Sequence, residues 1–183
     1  LEAGIEKLVT LLDDQPVHAL VNNAGISPKQ ENGDRLDTLT TDQSIWAEVL
    51  QVNLLAPALL TRRLTKSLQK GQGAVVNVTS IAGTRVHRFA GPAYAASKAA
   101  LSTLTRELAS DLGNLGIRVN AVSPGEIKTE MLSLATANEM IQDIPLHRLG
   151  DVEEVASAIY FLCCGSASYI NGAEIEINGG QHV

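Results

Sequence analysis

An α/β fold built on a parallel sheet is the class this sequence predicts, and two features predict it. Short runs rich in apolar and β-branched residues recur at 17–21, 74–78, 117–122 and 174–177. Segments of helical period separate them, the alternation that builds a sheet with crossover helices. Three of the runs also end in small and polar residues: Asn22-Asn23-Ala24-Gly25, Thr79-Ser80 and Ser123-Pro124-Gly125. In open α/β sheets, ligands bind at the carboxyl ends of the strands.

Taken in order, residues 1–12 carry Ile5, Leu8, Val9, Leu11 and Leu12 at helical spacing. The run 17–21 predicts a buried parallel strand, and Gly25 marks a turn where backbone can approach closely. Residues 26–40, with Pro28, Gly33 and Asp34, read as a surface loop. A helix should begin at Thr41 or Asp42 and run to about Gln69, with an apolar stripe through Trp46, Val49, Leu50, Leu54, Leu60, Leu64 and Leu68. The β-branched run 74–78 is the next strand and delivers Thr79 and Ser80 at its end. After a loop over 84–92, a long helix spans about 94–114, with Gly113 and Gly116 at its stop. Residues 117–122 form a strand, and 123–148 a loop with short helices over the site. Asp151 and Glu154 make a capping box that opens a helix to about Cys163, and 174–177 alternates as the last strand.

The chain has 183 residues, the size of one domain, and a net charge of −6. Its Lys and Arg residues are scattered, so no basic stripe offers itself to nucleic acid. No uninterrupted apolar run approaches the ~18 residues of a membrane span, and the first residues lack the pattern of a signal peptide. Cys163 and Cys164 are adjacent, without metal-ligand spacing or a disulfide framework, and read as buried thiols of a reducing compartment, the cytoplasm. Four histidines without i, i+4 pairing make no metal site.

The chemistry concentrates around Tyr94 and Lys98. A spacing of four puts phenol and ammonium on one helix face. A neighbouring cation favours the phenolate, so Tyr94 is expected to ionise below its ordinary pKa of about 10 and to exchange a proton nearer neutral pH. Taken alone, the pair is also what an ordinary surface helix carries. Ser80 lies fourteen positions earlier, at a strand end, where a hydroxyl can donate to a carbonyl oxygen and stabilise charge growing on it. Asn53 sits four residues before Pro57. Proline has no N–H, so the Asn53 carbonyl loses its helical partner and can hold a water. A buried Asn bonded to neighbouring backbone is the plainer alternative. Arg85, His87, Arg88, His147 and Arg148 are of a type that recognises acidic or phosphorylated substrates, but more often such residues are solvated loop charges.

In chain order, Leu20-Val21-Asn22-Asn23-Ala24-Gly25, Asn53, Ser80 in Val76-Asn77-Val78-Thr79-Ser80, Tyr94 with Lys98, and Val119-Asn120-Ala121-Val122-Ser123-Pro124-Gly125 with Ile127 and Thr129 closely resemble the short-chain dehydrogenase/reductase family in its common form. The resemblance implies a Rossmann-like doubly wound parallel sheet that binds NAD or NADP. It implies hydride transfer between the nicotinamide and a small-molecule carbonyl or alcohol. It assigns Asn53, Ser80, Tyr94 and Lys98 to catalysis. Tyr94 would be general acid or base, and Lys98 would also bind the nicotinamide ribose. Asn53 would hold a water linking that lysine to solvent, and Thr79 is a fallback hydroxyl because the family motif permits an offset of one. Cofactor contacts would come from Asn22, Ala24 and Gly25 on the adenine side, and from Pro124, Gly125, Ile127 and Thr129 on the nicotinamide side. The resemblance also implies a homotetramer or homodimer through the long helices, where Ala95, Ala96, Ala99 and Ala100 allow close contact.

The family opens with a strand, a glycine-rich turn and two further strands before its Asn-Asn-Ala-Gly segment. Here that segment arrives at residue 22, so the first three strands are missing from the sequence, and the 183 residues are expected to be about three quarters of one domain from a longer chain. His18, Glu126, Asn171 and Asn178 depart from the family pattern, Glu126 at a position often apolar or aromatic at the pocket rim. The substrate stays open between a 3-oxoacyl group on a carrier protein and a sugar or polyol. A catalytically silent binding or scaffold relative is the rival from another class.

Overall fold

The computed structural model describes residues 1–128 and 140–183. Strands β1 (Ala19–Asn22), β2 (Ala74–Val78), β3 (Arg118–Pro124) and β4 (Glu174–Ile177) pair in parallel in the order β1-β2-β3-β4. Their registers align Asn22 with Asn77 and Val78 with Val122, so three strands end together and present their carboxyl ends along one line. The helices are α1 (Glu2–Leu12), α2 (Gln43–Leu50), α3 (Ala56–Gly71), α4 (Pro92–Leu112) and α5 (Val152–Cys163).

The pleat sorts the strand residues onto two faces. Val75, Ile117 and Val119 point into a core with Leu64 and Leu68 of α3 and Ala109 of α4, against which Val9 and Leu12 of α1 pack. Val76 and Val122, of opposite parity, point to the other face and meet Leu162, Val155 and Ile159 of α5. Burial on both faces explains why these strands are almost continuously apolar in sequence rather than alternating. The capping box at Asp151 forms as expected, with the Asp151 N–H donating to Glu154 Oε2 at 2.8 Å.

Among the described residues β1 pairs only with β2, and Val21 on this edge is 41% exposed. One expectation is corrected. The long helix predicted from Thr41 or Asp42 is not one continuous α-helix: a π-helical turn, Gln51–Leu55, joins α2 to α3, with the Ala56 N–H bonded to the Gln51 carbonyl. Pro57 cannot donate to the carbonyl four residues back, and the ladder shifts register where that donor is lost. The combined run, Gln43–Gly71, has the length and composition to cross a membrane. Here it buries one stripe that includes Val49, Leu64 and Leu68, Leu64 and Leu68 in the core beside β2 and β3.

Leu68, fully buried against Val75 and Ile117, tests this packing. Leu68→Ala should lower unfolding free energy by about 2–5 kcal/mol in urea titration. A loss below about 1 kcal/mol would mean that the face is not packed as described.

Candidate active site

Ser80 leaves the end of β2 in an extended conformation and caps the short 3₁₀ turn Ile81–Gly83, its Oγ accepting from the Ala82 N–H at 3.2 Å. That turn lies directly on α4. A Cβ at Gly83 would stand 2.8 Å from the Ala99 nitrogen, so only glycine lets the turn seat on the helix backbone. The seating brings the Ser80 hydroxyl near enough to the Tyr94 side chain to lower the pKa of its phenol. Thr79, the fallback, faces elsewhere: its Oγ1 donates to the Val122 carbonyl at 2.8 Å and lies against Glu174 of β4.

Helix α4 opens with Gly91 as N-cap and Pro92 in its first turn, the favoured arrangement for a helix start. Tyr94 and Lys98 therefore fall in its first two turns. Lys98 is 4% exposed. Its Nζ donates to the Val78 carbonyl at 2.7 Å and lies 5.6 Å from the centroid of the Tyr94 ring. Burial lowers the Lys98 pKa from 10.5 to about 8.

The expectation that Lys98 acidifies Tyr94 is overturned for the ligand-free protein. The ammonium is over the ring and engaged by the Val78 carbonyl. Burial raises the Tyr94 pKa, the Ser80 hydroxyl lowers it, and the Glu126 carboxylate raises it again. The balance is a phenol held protonated.

Asn53 lies within the π turn and is fully buried. Its Oδ1 accepts from the Ile26 N–H at 2.8 Å, and its Nδ2 donates to the Ile26 carbonyl and to Ser97 Oγ, each at 3.0 Å. Ser97 in turn donates to the Tyr94 carbonyl at 2.7 Å. The carboxamide thus pins the loop after β1 to the first turns of α4. This is the buried-Asn alternative for the side chain, and Ser97 is a partner that no sequence signal announced. Gly25 completes the cluster: a Cβ there would stand 3.4 Å from both Asn53 Oδ1 and Lys98 Nζ.

Asn22 turns inward. Its Nδ2 donates to Asn77 Oδ1 at 2.8 Å, and Asn77 Nδ2 to Thr105 Oγ1 at 2.9 Å, a buried polar chain from β1 through β2 to α4. Ala24 and Gly25 are exposed at the strand end. Pro124 closes β3, the Gly125 N–H donates to the Ile177 carbonyl at 3.0 Å, and Ile127 bridges to Gly150. Thr129 lies outside the described residues. A groove of about 460 Å³ runs along the strand ends, walled by Val21, Asn23, Val78, Pro124 and Ile127 and, from α5, by Val155 and Ile159.

The loop charges are not free cations awaiting an anion. His87 Nε2 lies 2.8 Å from Glu126 Oε1, with side chains 16% and 15% exposed. Arg85 donates to the Gln181 carbonyl, and Arg148 makes a two-pronged pair with Glu154 at 2.7 Å per bond. That pair holds the Glu154 carboxyl down at about 2. The His87–Glu126 contact escaped the sequence because 39 positions separate its members. Cys163 and Cys164 are free and half-buried rather than buried. Among the described residues no cluster suits a metal ion.

A family model described as enoyl-(acyl carrier protein) reductase matches residues 2–182. The chain is 54% identical over 183 residues to protein FixR of Bradyrhizobium diazoefficiens, covering all of this chain and 66% of that protein. It is 38% identical over 176 residues to galactitol 2-dehydrogenase (L-tagatose-forming) of Cereibacter sphaeroides, covering 92% of this chain and 66% of that protein. The chain thus spans just under two thirds of each. A crystal structure of a Brucella ovis oxidoreductase of the short-chain dehydrogenase/reductase family, in complex with a partially ordered NAD, superposes with a TM-score of 0.78 at 51% identity, over 95% of this chain and 71% of that one.

The buried ammonium supplies a direct test. With a folded-state pKa near 8 against 10.5, native Lys98 binds fewer protons than the unfolded chain between those values. The lysine's contribution to stability should therefore increase as pH rises from about 8 to 10.5. In the ligand-free protein, the ¹³Cε resonance of Lys98 should titrate with a midpoint near 8. A midpoint above 10 would place the side chain in solvent.

Proposed function

The chain belongs to the short-chain dehydrogenase/reductase family, and from that premise we propose that it carries the site of an NAD- or NADP-dependent oxidoreductase acting on a small-molecule carbonyl or secondary alcohol. The observation that carries the reading is the buried Lys98 ammonium, bonded to the Val78 carbonyl at the carboxyl end of a parallel sheet and set over the Tyr94 ring, with Ser80 two residues beyond Val78.

The residues present fit a nicotinamide nucleotide. Val78, Pro124 and Ile127 offer an apolar wall for a flat ring. The Lys98 ammonium and Tyr94 hydroxyl are donors for ribose hydroxyls, and the missing side chain at Gly25 leaves the approach to Asn53 and Lys98 clear. When bound, the reduced cofactor supplies a hydride, the electron pair that converts a carbonyl carbon to a carbinol. Ser80 donates to the carbonyl oxygen and stabilises the negative charge that develops there. Tyr94 gives its proton to that oxygen, so the product is the neutral alcohol, and solvent returns a proton to the phenolate. The same atoms run in reverse for oxidation, with Tyr94 as base. Lys98 lies beside the phenol and favours the transient phenolate once substrate and cofactor exclude water. A raised Tyr94 pKa suits the acid role, since the proton is present at neutral pH to be given.

We read Asn53 as the residue that holds the Gly25–Ile26 turn and α4 in register, Asn22 as a strut of the central strands, and Ala24, Gly25, Pro124, Gly125, Ile127 and Thr129 as cofactor contacts. A sugar or polyol and a 3-oxoacyl carrier are the substrate classes this reading admits. Free thiols on α5 agree with a cytoplasmic setting. Exposed Leu55 and Ala96 on the long helices agree with a homo-oligomer.

Nicotinamide absorbance at 340 nm tests the reading on the full-length protein. Tyr94→Phe should lower kcat by about 10²–10⁴-fold and Ser80→Ala by about 10²–10³-fold, the latter with little change in cofactor affinity. Turnover that survives Tyr94→Phe would remove the mechanism. A wild-type protein that binds cofactor and turns over no carbonyl or alcohol would favour the scaffold alternative.

A further inference from the structure

We propose that His87 and Gln181 are positioning residues, which hold the segment 124–127 in place relative to Ser80 and Tyr94 through two bridges that converge on Glu126. The proposal rests on the reading of Ser80 and Tyr94 as the reacting pair and of 124–127 as a cofactor wall, and adds the residues that set the spacing between them.

Both bridges start from the loop that joins Ser80 to Tyr94. At its first end the Gly83 N–H donates to the Ser80 carbonyl at 2.9 Å, and the Thr84 and Arg85 N–H groups donate to the Ile81 carbonyl at 3.1 and 3.2 Å. At its other end the Phe89 carbonyl accepts from the Lys29 ammonium, and Gly91 caps α4, its carbonyl accepting from the Ala95 N–H at 3.0 Å. The loop is thus bonded into the turn that begins at Ser80 and into the helix turn that carries Tyr94. Within it, His87 Nδ1 accepts from the Phe89 N–H at 3.2 Å, so the ring proton is on Nε2 and is donated to Glu126 Oε1 at 2.8 Å. This first bridge runs between two largely buried side chains. In the second, the Arg85 guanidinium donates to the Gln181 carbonyl, and Gln181 Oε1 accepts from the Glu126 N–H at 3.2 Å. Gln181 is 6% exposed. A Cβ at Gly125 would stand 2.4 Å from Gln181 Oε1 and 2.9 Å from the Asn178 Cα, so glycine there is what lets the Gln181 amide reach the Glu126 backbone.

The far end of each bridge is the wall of the groove. Pro124 and Ile127 line that groove together with Val78. Glu126, between them in sequence, lines instead a cavity of about 30 Å³ with Arg85, His87 and Gln181. That space has the size of a water molecule and is too small for a substrate or a nicotinamide, so these four residues bond to one another rather than to a ligand. On its other side the segment is held by the Gly125 N–H to the Ile177 carbonyl and by the Gly150 N–H to the Glu126 carbonyl, each at 3.0 Å. The bridges add the tie to the loop between Ser80 and Tyr94. Hydride transfer depends on that spacing, because reacting atoms must approach to about 3–3.5 Å and a misplacement of about 1 Å can cost about 10²-fold.

Single-turnover hydride transfer by the full-length protein tests the assignment, with NADH or NADPH as donor and ethyl acetoacetate and dihydroxyacetone as carbonyl probes. His87→Leu removes the first bridge, and Gln181→Met removes the amide acceptor of the second while keeping the length of the side chain. Each should slow transfer by roughly tenfold or more with cofactor Kd within about threefold of the wild type. His87→Gln, whose amide N–H can stand where Nε2 does, should bring the rate back to within about threefold. Rates are read well below the unfolding midpoint of every variant, where a loss of stability alone leaves them unchanged. If the leucine variant does not fold, Gln181→Met reads the same rate. A rate within about threefold of the wild type in either folded variant overturns the proposal alone, as does a His87→Leu loss that His87→Gln does not recover. Absence of transfer to both probes by the wild type overturns the underlying reading and this proposal with it.

Discussion

The hydrogen bond from the Lys98 ammonium to the Val78 carbonyl is the contact on which the site depends. A lysine charge with 4% exposure is costly unless its protons find acceptors. The carbonyl that β2 leaves unpaired at its end provides one. The same bond fixes where α4 meets the sheet. Because Tyr94 is one helical turn earlier and Ser80 two residues past Val78, holding Lys98 to β2 also holds the phenol to the serine hydroxyl.

Around that contact the other polar residues act as struts. The Asn22–Asn77–Thr105 chain keeps β1, β2 and α4 from sliding, and Asn53 ties the loop after β1 to Ser97, one residue from Lys98. Each is a long-range bond within a buried setting, where a misplaced partner would leave polar atoms unsatisfied. Stability and positioning therefore have the same source: removing a strut both destabilises the fold and lets the catalytic groups drift.

Much of this was legible in sequence because it is local. The strands 74–78 and 174–177, the α5 capping box and the helix carrying Tyr94 and Lys98 follow from residue type and period within short windows. What escaped depends on contacts that no window contains. Pro57 signalled a disturbed helix, yet the π turn it produces was not predicted. Spacing put Lys98 on the face of Tyr94 but could not show that Val78 would claim the ammonium, or that Glu126, 32 positions later, would add an opposing charge. For that reason the Tyr94 shift has the opposite sign to the one its spacing from Lys98 suggests. The His87–Glu126 pair belongs to the same class of surprise, two ordinary loop residues brought into contact by the fold.

The central claim is that Ser80 and Tyr94 act on one oxygen as a unit. Single-turnover hydride transfer in the wild type, Ser80→Ala, Tyr94→Phe and the double variant measures this directly. If the two hydroxyls serve the same atom, the double variant should be slowed little more than the worse single variant. A double variant slowed by the full product of the two single effects would show that the residues act independently, and would contradict the account.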